Sequence, residues 1–255
     1  MIKTKQGNCI ELLKELESNS IDLLVTEPPY KTINVELSYE WIPECYRVLK
    51  DSSHAYIMTN SLEMSDAIEK SGFEIISISE YFKCNKTLFN KKNKQYVIFC
   101  RKGKAKELNL PNIEYTSRIN NFSSKVHPTE KPVGLMQFYI ENSSKENDIV
   151  LDPFMGSGST GVACLKSNRN FIGFEIDGNY YKIATDRIIT KLSYKNYLEN
   201  FDESSFNKKW LKCTNTHDGF FNDEKYEPFT EDEFKDLIQT NTEFKTQWEL
   251  TLPNN

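Results

Sequence analysis

A chain of 255 residues, 38% hydrophobic and 13% aromatic, is long enough for one large core and short for two full ones. Six cysteines at 9, 45, 84, 100, 164 and 213 show no paired spacing, and three histidines at 54, 127 and 217 are too scattered for a zinc constellation. No run approaches the roughly 18 apolar residues of a membrane span, so a reduced, metal-free, cytoplasmic protein with no membrane partner is expected.

In chain order, residues 9–16 have helical spacing, 21–25 form an apolar strand, 39–49 a helix and 55–59 a strand. Residues 62–71 predict a helix closed by Gly72, and 73–79 and 95–100 predict strands. Residues 103–126 lack clear periodicity; 132–141 then predict an amphipathic helix with proline near its first turn. A short buried-strand pattern at 148–152 runs into a glycine-rich turn, Val162-Ala-Cys-Leu opens the next helix, and 170–174 form another apolar strand ending in Glu175. Alternating strands and helices of this kind make an α/β fold. Beyond residue 195, Trp210, Phe220, Phe221, Tyr226, Phe229, Phe234 and Trp248 keep the aromatic density high, so this tail is expected to fold or dock.

The turn after residue 152 carries the first chemistry. Glycines at 156, 158 and 161 follow the strand at once, where backbone must approach a ligand without Cβ atoms. Seventeen residues after Gly158, Glu175 stands where a doubly wound sheet places the carboxylate that accepts hydrogen bonds from ribose hydroxyls. A dinucleotide site wants apolar strand running straight into glycine so that pyrophosphate can sit on the helix N-terminus. Here Asp152-Pro153-Phe154 intervenes. A carboxylate there disfavours phosphate, and with it a nicotinamide oxidoreductase, and favours a ligand with an amino group and a sulfonium, the charge pattern of S-adenosylmethionine.

Asp152-Pro-Phe-Met-Gly-Ser-Gly-Ser-Thr160, preceded by His127-Pro-Thr-Glu-Lys-Pro132 and by Glu27-Pro28-Pro29-Tyr30 near the start of the chain, resembles the β-class amino-methyltransferases of DNA. The resemblance covers roughly residues 5–190 and rests on several blocks in a fixed order. It implies a doubly wound, Rossmann-like methyltransferase sheet in permuted order, catalytic half before cofactor half. Residues 20–27 would be the catalytic strand, 45–50 lie on the following helix, and 96–102 form a late strand. Residues 1–194 are then the catalytic domain and 195–255 an acidic, aromatic-rich extension.

The resemblance also assigns roles. Glu27, Pro28, Pro29 and Tyr30 form the catalytic motif: a carboxylate and the Pro28 carbonyl accept the N–H groups of an exocyclic amine, localising a lone pair otherwise delocalised into the ring. Proline fixes φ and brings no competing donor. Tyr30 stacks on a base that has left the duplex. Asp152, Pro153, Phe154, Gly156, Gly158, Ser159, Thr160 and Glu175 hold the cofactor, with Thr129 and Lys131 at its methionine end. Ser157, Ser159 and Thr160 are expected to cap the following helix. Asn8 stands where relatives usually have an Asp on the cofactor's adenine; capping of the helix starting at Cys9 is an equal reading. His127 reads as a turn residue.

The charge is segregated. Residues 83–131 hold twelve Lys and Arg against three Asp and Glu, a balance of +9, and residues 195–255 hold seven against thirteen, a balance of -6. Polyanion binding depends on local phosphate contacts, not whole-chain charge, so the basic stretch, with Lys91, Lys92, Lys94, Lys104, Arg118 and Lys125, is the expected nucleic-acid face. A merely solvated lysine-rich loop is the alternative. The expected partner is DNA, RNA staying open as a substrate, with a homodimer or a paired methyltransferase subunit compatible with the sequence. Where active relatives carry Asp, Asn or Ser, this chain has Glu27. An acidic residue resembles the adenine-N6 enzymes more than the cytosine-N4 ones, while its extra methylene predicts a slow catalyst or a reshaped pocket, with a non-catalytic nucleic-acid-binding subunit as the alternative.

Overall fold

The computed structural model describes residues 1–29, 38–82, 94–105, 131–199, 212–215 and 224–248. Two compact units emerge, Met1–Thr185 and Asp186–Leu252.

The first unit is built on a seven-stranded sheet. Its strands are β1 (Ile2–Gln6), β2 (Ile21–Thr26), β3 (Leu49–Thr59), β4 (Glu74–Phe82), β5 (Lys94–Arg101), β6 (Ile149–Asp152) and β7 (Asn170–Glu175). They lie in the order β1-β7-β6-β2-β3-β5-β4. β5 runs antiparallel to both of its neighbours, and the remaining pairs are parallel. The helices are α1 (Cys9–Lys14), α2 (Trp41–Val48), α3 (Ser65–Lys70), α4 (Val133–Ser143), α5 (Ser159–Lys166) and α6 (Gly178–Glu199), the last crossing the boundary between the units.

Leu23, Leu24, Val25, Val150 and Leu151 are fully buried. Strands covered on both faces read as unbroken apolar runs, which is why 21–25 and 148–152 are visible in the sequence. β1 is not: it is an edge strand, with Ile2 and Thr4 buried between Lys3 and Lys5, and one apolar side chain gives no period to detect. α6 was missed for a related reason, its apolar residues being spread around the helix. A start signal does exist, because the Asp177 carboxylate accepts from the backbone N–H groups of Asn179 and Tyr180 at 2.8 and 3.0 Å.

Topology places the site. The chain leaves β6 through α5 to β7 on one side of the sheet, and leaves β2 through α2 to β3 on the other. Because β2 and β6 are neighbours, the loops at their carboxyl ends diverge and open a crevice, where ligands of doubly wound sheets bind.

The second unit holds the hairpin β8 (Lys212–Asn215) and β9 (Glu224–Glu227), with α7 (Glu231–Thr240) and α8 (Thr242–Trp248). Tyr197, Phe234, Ile238 and Phe244 form its buried cluster, with Tyr194 and Phe229 packed against it. Thr230 and Glu233 cap α7 reciprocally. Of the tail's aromatic residues, Phe229, Phe234 and Phe244 join this cluster, while Trp210, Phe220 and Phe221 lie outside the described residues.

Candidate active site

The loop that follows β6 is shaped by backbone bonds. Met155 N–H donates to the carbonyl of Phe174 on β7 at 2.9 Å, and Gly158 N–H donates to the carbonyl of Met155 at 2.8 Å. Gly156 and Gly158 take φ of 51° and 80°, the left-handed region that glycine enters without penalty. At Gly158 the missing side chain also matters for packing, since a Cβ would lie 3.0 Å from that of Ala184; at Gly156 a Cβ would meet nothing within 4 Å among the described residues. One glycine fits the helix to its neighbour, and the other leaves open space.

Two expectations change here. α5 starts at Ser159, not Val162, and its cap is Gly158, with no side chain capping it. Thr160 instead donates its hydroxyl to Asp152 at 2.6 Å, and the buried hydroxyl of Ser159 has no hydrogen-bond partner among the described residues. A buried orphan hydroxyl is costly unless something else satisfies it.

Asp152 was expected to offer its charge to a cationic ligand. It lines the cavity but is 3% exposed, and it accepts from the Thr26 hydroxyl on Oδ1 and the Thr160 hydroxyl on Oδ2, with the N–H of Phe154 also on Oδ1 at 3.2 Å. Burial pushes its carboxyl up to about 6, against the opposing effect of these donors. Its visible work is to brace the loop.

Glu175 ends β7 as expected. Its Oε2 accepts from Gly156 N–H and its Oε1 from Asp177 N–H, both at 2.9 Å. A carboxylate offers about four acceptor sites, so these two bonds orient it without exhausting it. Asn8 caps α1, as one of its two readings expects: its amide oxygen accepts from Ile10 N–H at 2.9 Å. It also borders a cavity of about 390 Å³ that reaches Glu175, Pro153 and Phe154. A second cavity, of about 280 Å³, is bordered by Glu27, Lys131, Asp152, Gly156, Ser159 and Glu175. Pro28, Pro29, Phe154, Glu175 and Ile176 border both.

Glu27 follows β2 directly. The Lys131 ammonium forms an ion pair with its Oε1, and Gln95 Nε2 donates to the same oxygen at 3.4 Å. Lys131 is 5% exposed, so its charge is matched inside the protein. Lys131, expected at the methionine end of the cofactor, thus meets the Glu27 carboxylate. Sequence reasoning missed Gln95; the available signal was a polar residue at an inward position of β5, alternating with buried Val97 and Phe99.

The basic segment divides. Arg101 pairs with Glu74 through both ends of its guanidinium. Lys102 is buried and donates to the carbonyls of Leu49 and Tyr46 and to Asn19 Oδ1, at 2.7, 2.9 and 3.0 Å. With Lys131, these cations count toward the local balance while each is held by partners within the protein. Lys104 is exposed. Lys94 lies on β5, while Tyr30, Lys91, Lys92, Arg118, Lys125, His127 and Thr129 fall outside the described residues. Among the described residues no group of three or more His, Cys, Asp or Glu is placed to hold a metal, and no helix is long and apolar enough to cross a membrane.

Residues 21–186 match the model of the N6/N4 DNA methylase family. The chain belongs to that family. It is 32% identical over 254 residues to the type II methyltransferase M.HpaI of Haemophilus parainfluenzae, covering 82% of this chain and 78% of that one. The DNA adenine methyltransferase YhdJ of Escherichia coli is 27% identical, over 71% of this chain and 81% of its own. Among solved structures, the M1.HpyAVI complex with S-adenosylmethionine superposes with a TM-score of 0.58 at 29% identity, covering 73% of this chain and all of that one. The cytosine-N4-specific PvuII DNA methyltransferase reaches 0.60 at 16% identity, which speaks for a shared methyltransferase fold.

Proposed function

We propose that this methylase transfers a methyl group from S-adenosylmethionine to the exocyclic amine of a base flipped out of DNA, with adenine N6 as the preferred acceptor. The observation that carries the reading is that one cavity of about 280 Å³ is bordered by both Glu27 and Glu175, the carboxylates of the two halves of the site.

The residues present fit the cofactor. Glu175 has the position and spare acceptors for ribose hydroxyls, and among the described residues Gly156 leaves open space and the buried Ser159 hydroxyl lacks a partner. When bound, S-adenosylmethionine supplies an electrophilic methyl group. The chain's own part is to position the acceptor: the Glu27 carboxylate and the Pro28 carbonyl take the amine N–H groups, and Pro28, which has no N–H, adds no competing donor. The proton released on methylation leaves to solvent, because Glu27 is already committed to Lys131. Adenine is favoured by the acidic character of Glu27. Lys91, Lys92, Lys94, Lys104, Arg118 and Lys125 would contact phosphates, and the type II names of several relatives suggest a restriction-modification role.

The test is incubation with methyl-labelled S-adenosylmethionine and mixed-sequence DNA, followed by nucleoside analysis. Label in N6-methyladenine supports the reading; label in N4-methylcytosine alone would move the base preference. Calorimetry with S-adenosylhomocysteine should show binding that Glu175→Ala weakens by roughly 1–3 kcal/mol. A second reading, a non-catalytic DNA-binding member, is favoured by the Glu27–Lys131 ion pair, which occupies the carboxylate. DNA and cofactor binding without any methyl transfer would establish it.

A further inference from the structure

We infer that Gln95 and Lys131 are positioning residues that adapt this site to glutamate at position 27. The inference rests on the methyltransferase reading above and names how that site accommodates its longer acid.

Glutamate carries its carboxylate one bond, about 1.5 Å, further from the backbone than aspartate. Left unrestrained, that reach would push the acceptor nitrogen off the transfer line, and an error near 1 Å can cost on the order of a hundredfold in rate. Two donors from separate elements converge on Glu27 Oε1: Gln95 from the start of β5, and Lys131 from the residue before the α4 cap, Pro132. Both are almost fully enclosed, at 4% and 5% exposure, while the Glu27 side chain keeps 18%. The donors are therefore fixed and the acid faces the cavity. Anchoring one oxygen from inside turns the extra methylene into a fixed bend that sets where the carboxylate meets the substrate. An aspartate at position 27 would end short of both donors.

A double-mutant cycle tests this: wild type, Gln95→Met, Glu27→Asp and the double variant, each assayed for kcat, for KM toward S-adenosylmethionine and DNA, and for thermal stability. Gln95→Met should lower kcat on the order of tenfold with both KM values unchanged, and Glu27→Asp should lower it on the order of tenfold to a hundredfold. In the Glu27→Asp background, Gln95→Met should cost less than twofold, because the contact it removes is already gone. Equal losses in both backgrounds, or a loss confined to stability with kcat untouched, would overturn the positioning role in an enzyme that is otherwise active. An inactive wild type that still binds S-adenosylmethionine would instead overturn the methyltransferase reading itself, and the positioning role with it. Gln95→Glu serves as the control for volume: it keeps the size, replaces the amide donor by a carboxyl, and should be at least as damaging as Gln95→Met.

Discussion

Thr26, the last residue of β2, donates its hydroxyl to the Oδ1 of Asp152, the last residue of β6, at 2.8 Å. The bond ties together the carboxyl ends of the strands that carry the acid motif and the glycine loop. Replacing Thr26 by valine keeps the volume and leaves a buried carboxylate short of a donor. We expect a loss of about 1–3 kcal/mol in denaturant unfolding, with a smaller loss for Thr26→Ser, which keeps the hydroxyl.

Asp152 gives a pH prediction of definite sign. Burial raises its folded-state carboxyl from an ordinary 3.8 to about 6, so between those values the folded protein binds more protons than the unfolded chain. The contribution of Asp152 to stability is fully present below about 4 and falls as pH rises toward 6. The two values lie roughly two pH units apart, a difference of about 3 kcal/mol. Stability measured from pH 4 to 7 should show that extra downward slope in wild type relative to Asp152→Asn, with parallel curves above pH 7. Wild-type stability that rises relative to Asp152→Asn as pH increases through this window would refute the assignment.

The two loop glycines should fail differently. Gly158→Ala forces a Cβ against Ala184 at a positive φ, so it should cost well over 1 kcal/mol in stability. Gly156→Ala carries the conformational cost of about 1 kcal/mol alone, since no atom of the described residues opposes its Cβ. It does place a methyl group in open space beside Glu175, so calorimetry should show weakened S-adenosylhomocysteine binding in a protein whose melting temperature falls only slightly.

Glu27→Ala removes the acid and breaks its ion pair with buried Lys131. Methylation should vanish, and stability should drop by about 3–5 kcal/mol, the cost typical of breaking a buried pair from one side. Melting curves and labelled transfer assays on the same preparations separate the two effects.

The lysines of the basic segment should sort by burial. Lys102→Met, which loses three buried hydrogen bonds, should destabilise the fold and leave the salt dependence of DNA binding unchanged. Charge reversal at Lys91, Lys92 and Lys94 together should do the opposite, weakening binding across sequences and flattening its salt slope. Filter binding over a salt series reads both.

What could be read from sequence follows from physics. β2, β6 and β7 are buried strands with unbroken apolar runs, and the glycines and Glu175 follow at fixed spacing, so that half of the site is local in the chain. The bracing of Asp152 by Thr26 and the anchoring of Glu27 by Gln95 and Lys131 join residues distant in sequence, and only the strand order brings them together. Lys102 misled for the same reason. Its charge was legible, but the carbonyls of Tyr46 and Leu49 that claim it were not. Capping by Ser159 and Thr160 was the default for their residue types, and it lost to the stronger pull of a buried carboxylate on the Thr160 hydroxyl.

The wall shared by the two cavities has a thermodynamic consequence. Pro28 and Pro29 of the acid motif, with Phe154, Glu175 and Ile176, face both spaces, so a ligand in one presses on the boundary of the other. In the proposed function, where S-adenosylmethionine and an extrahelical base meet at this wall, any coupling between them is reciprocal: whatever factor the cofactor applies to the affinity for the base, the base must apply to the cofactor. Cofactor affinity measured without DNA is for this reason only half of a cycle, and the closing half is its value with DNA bound.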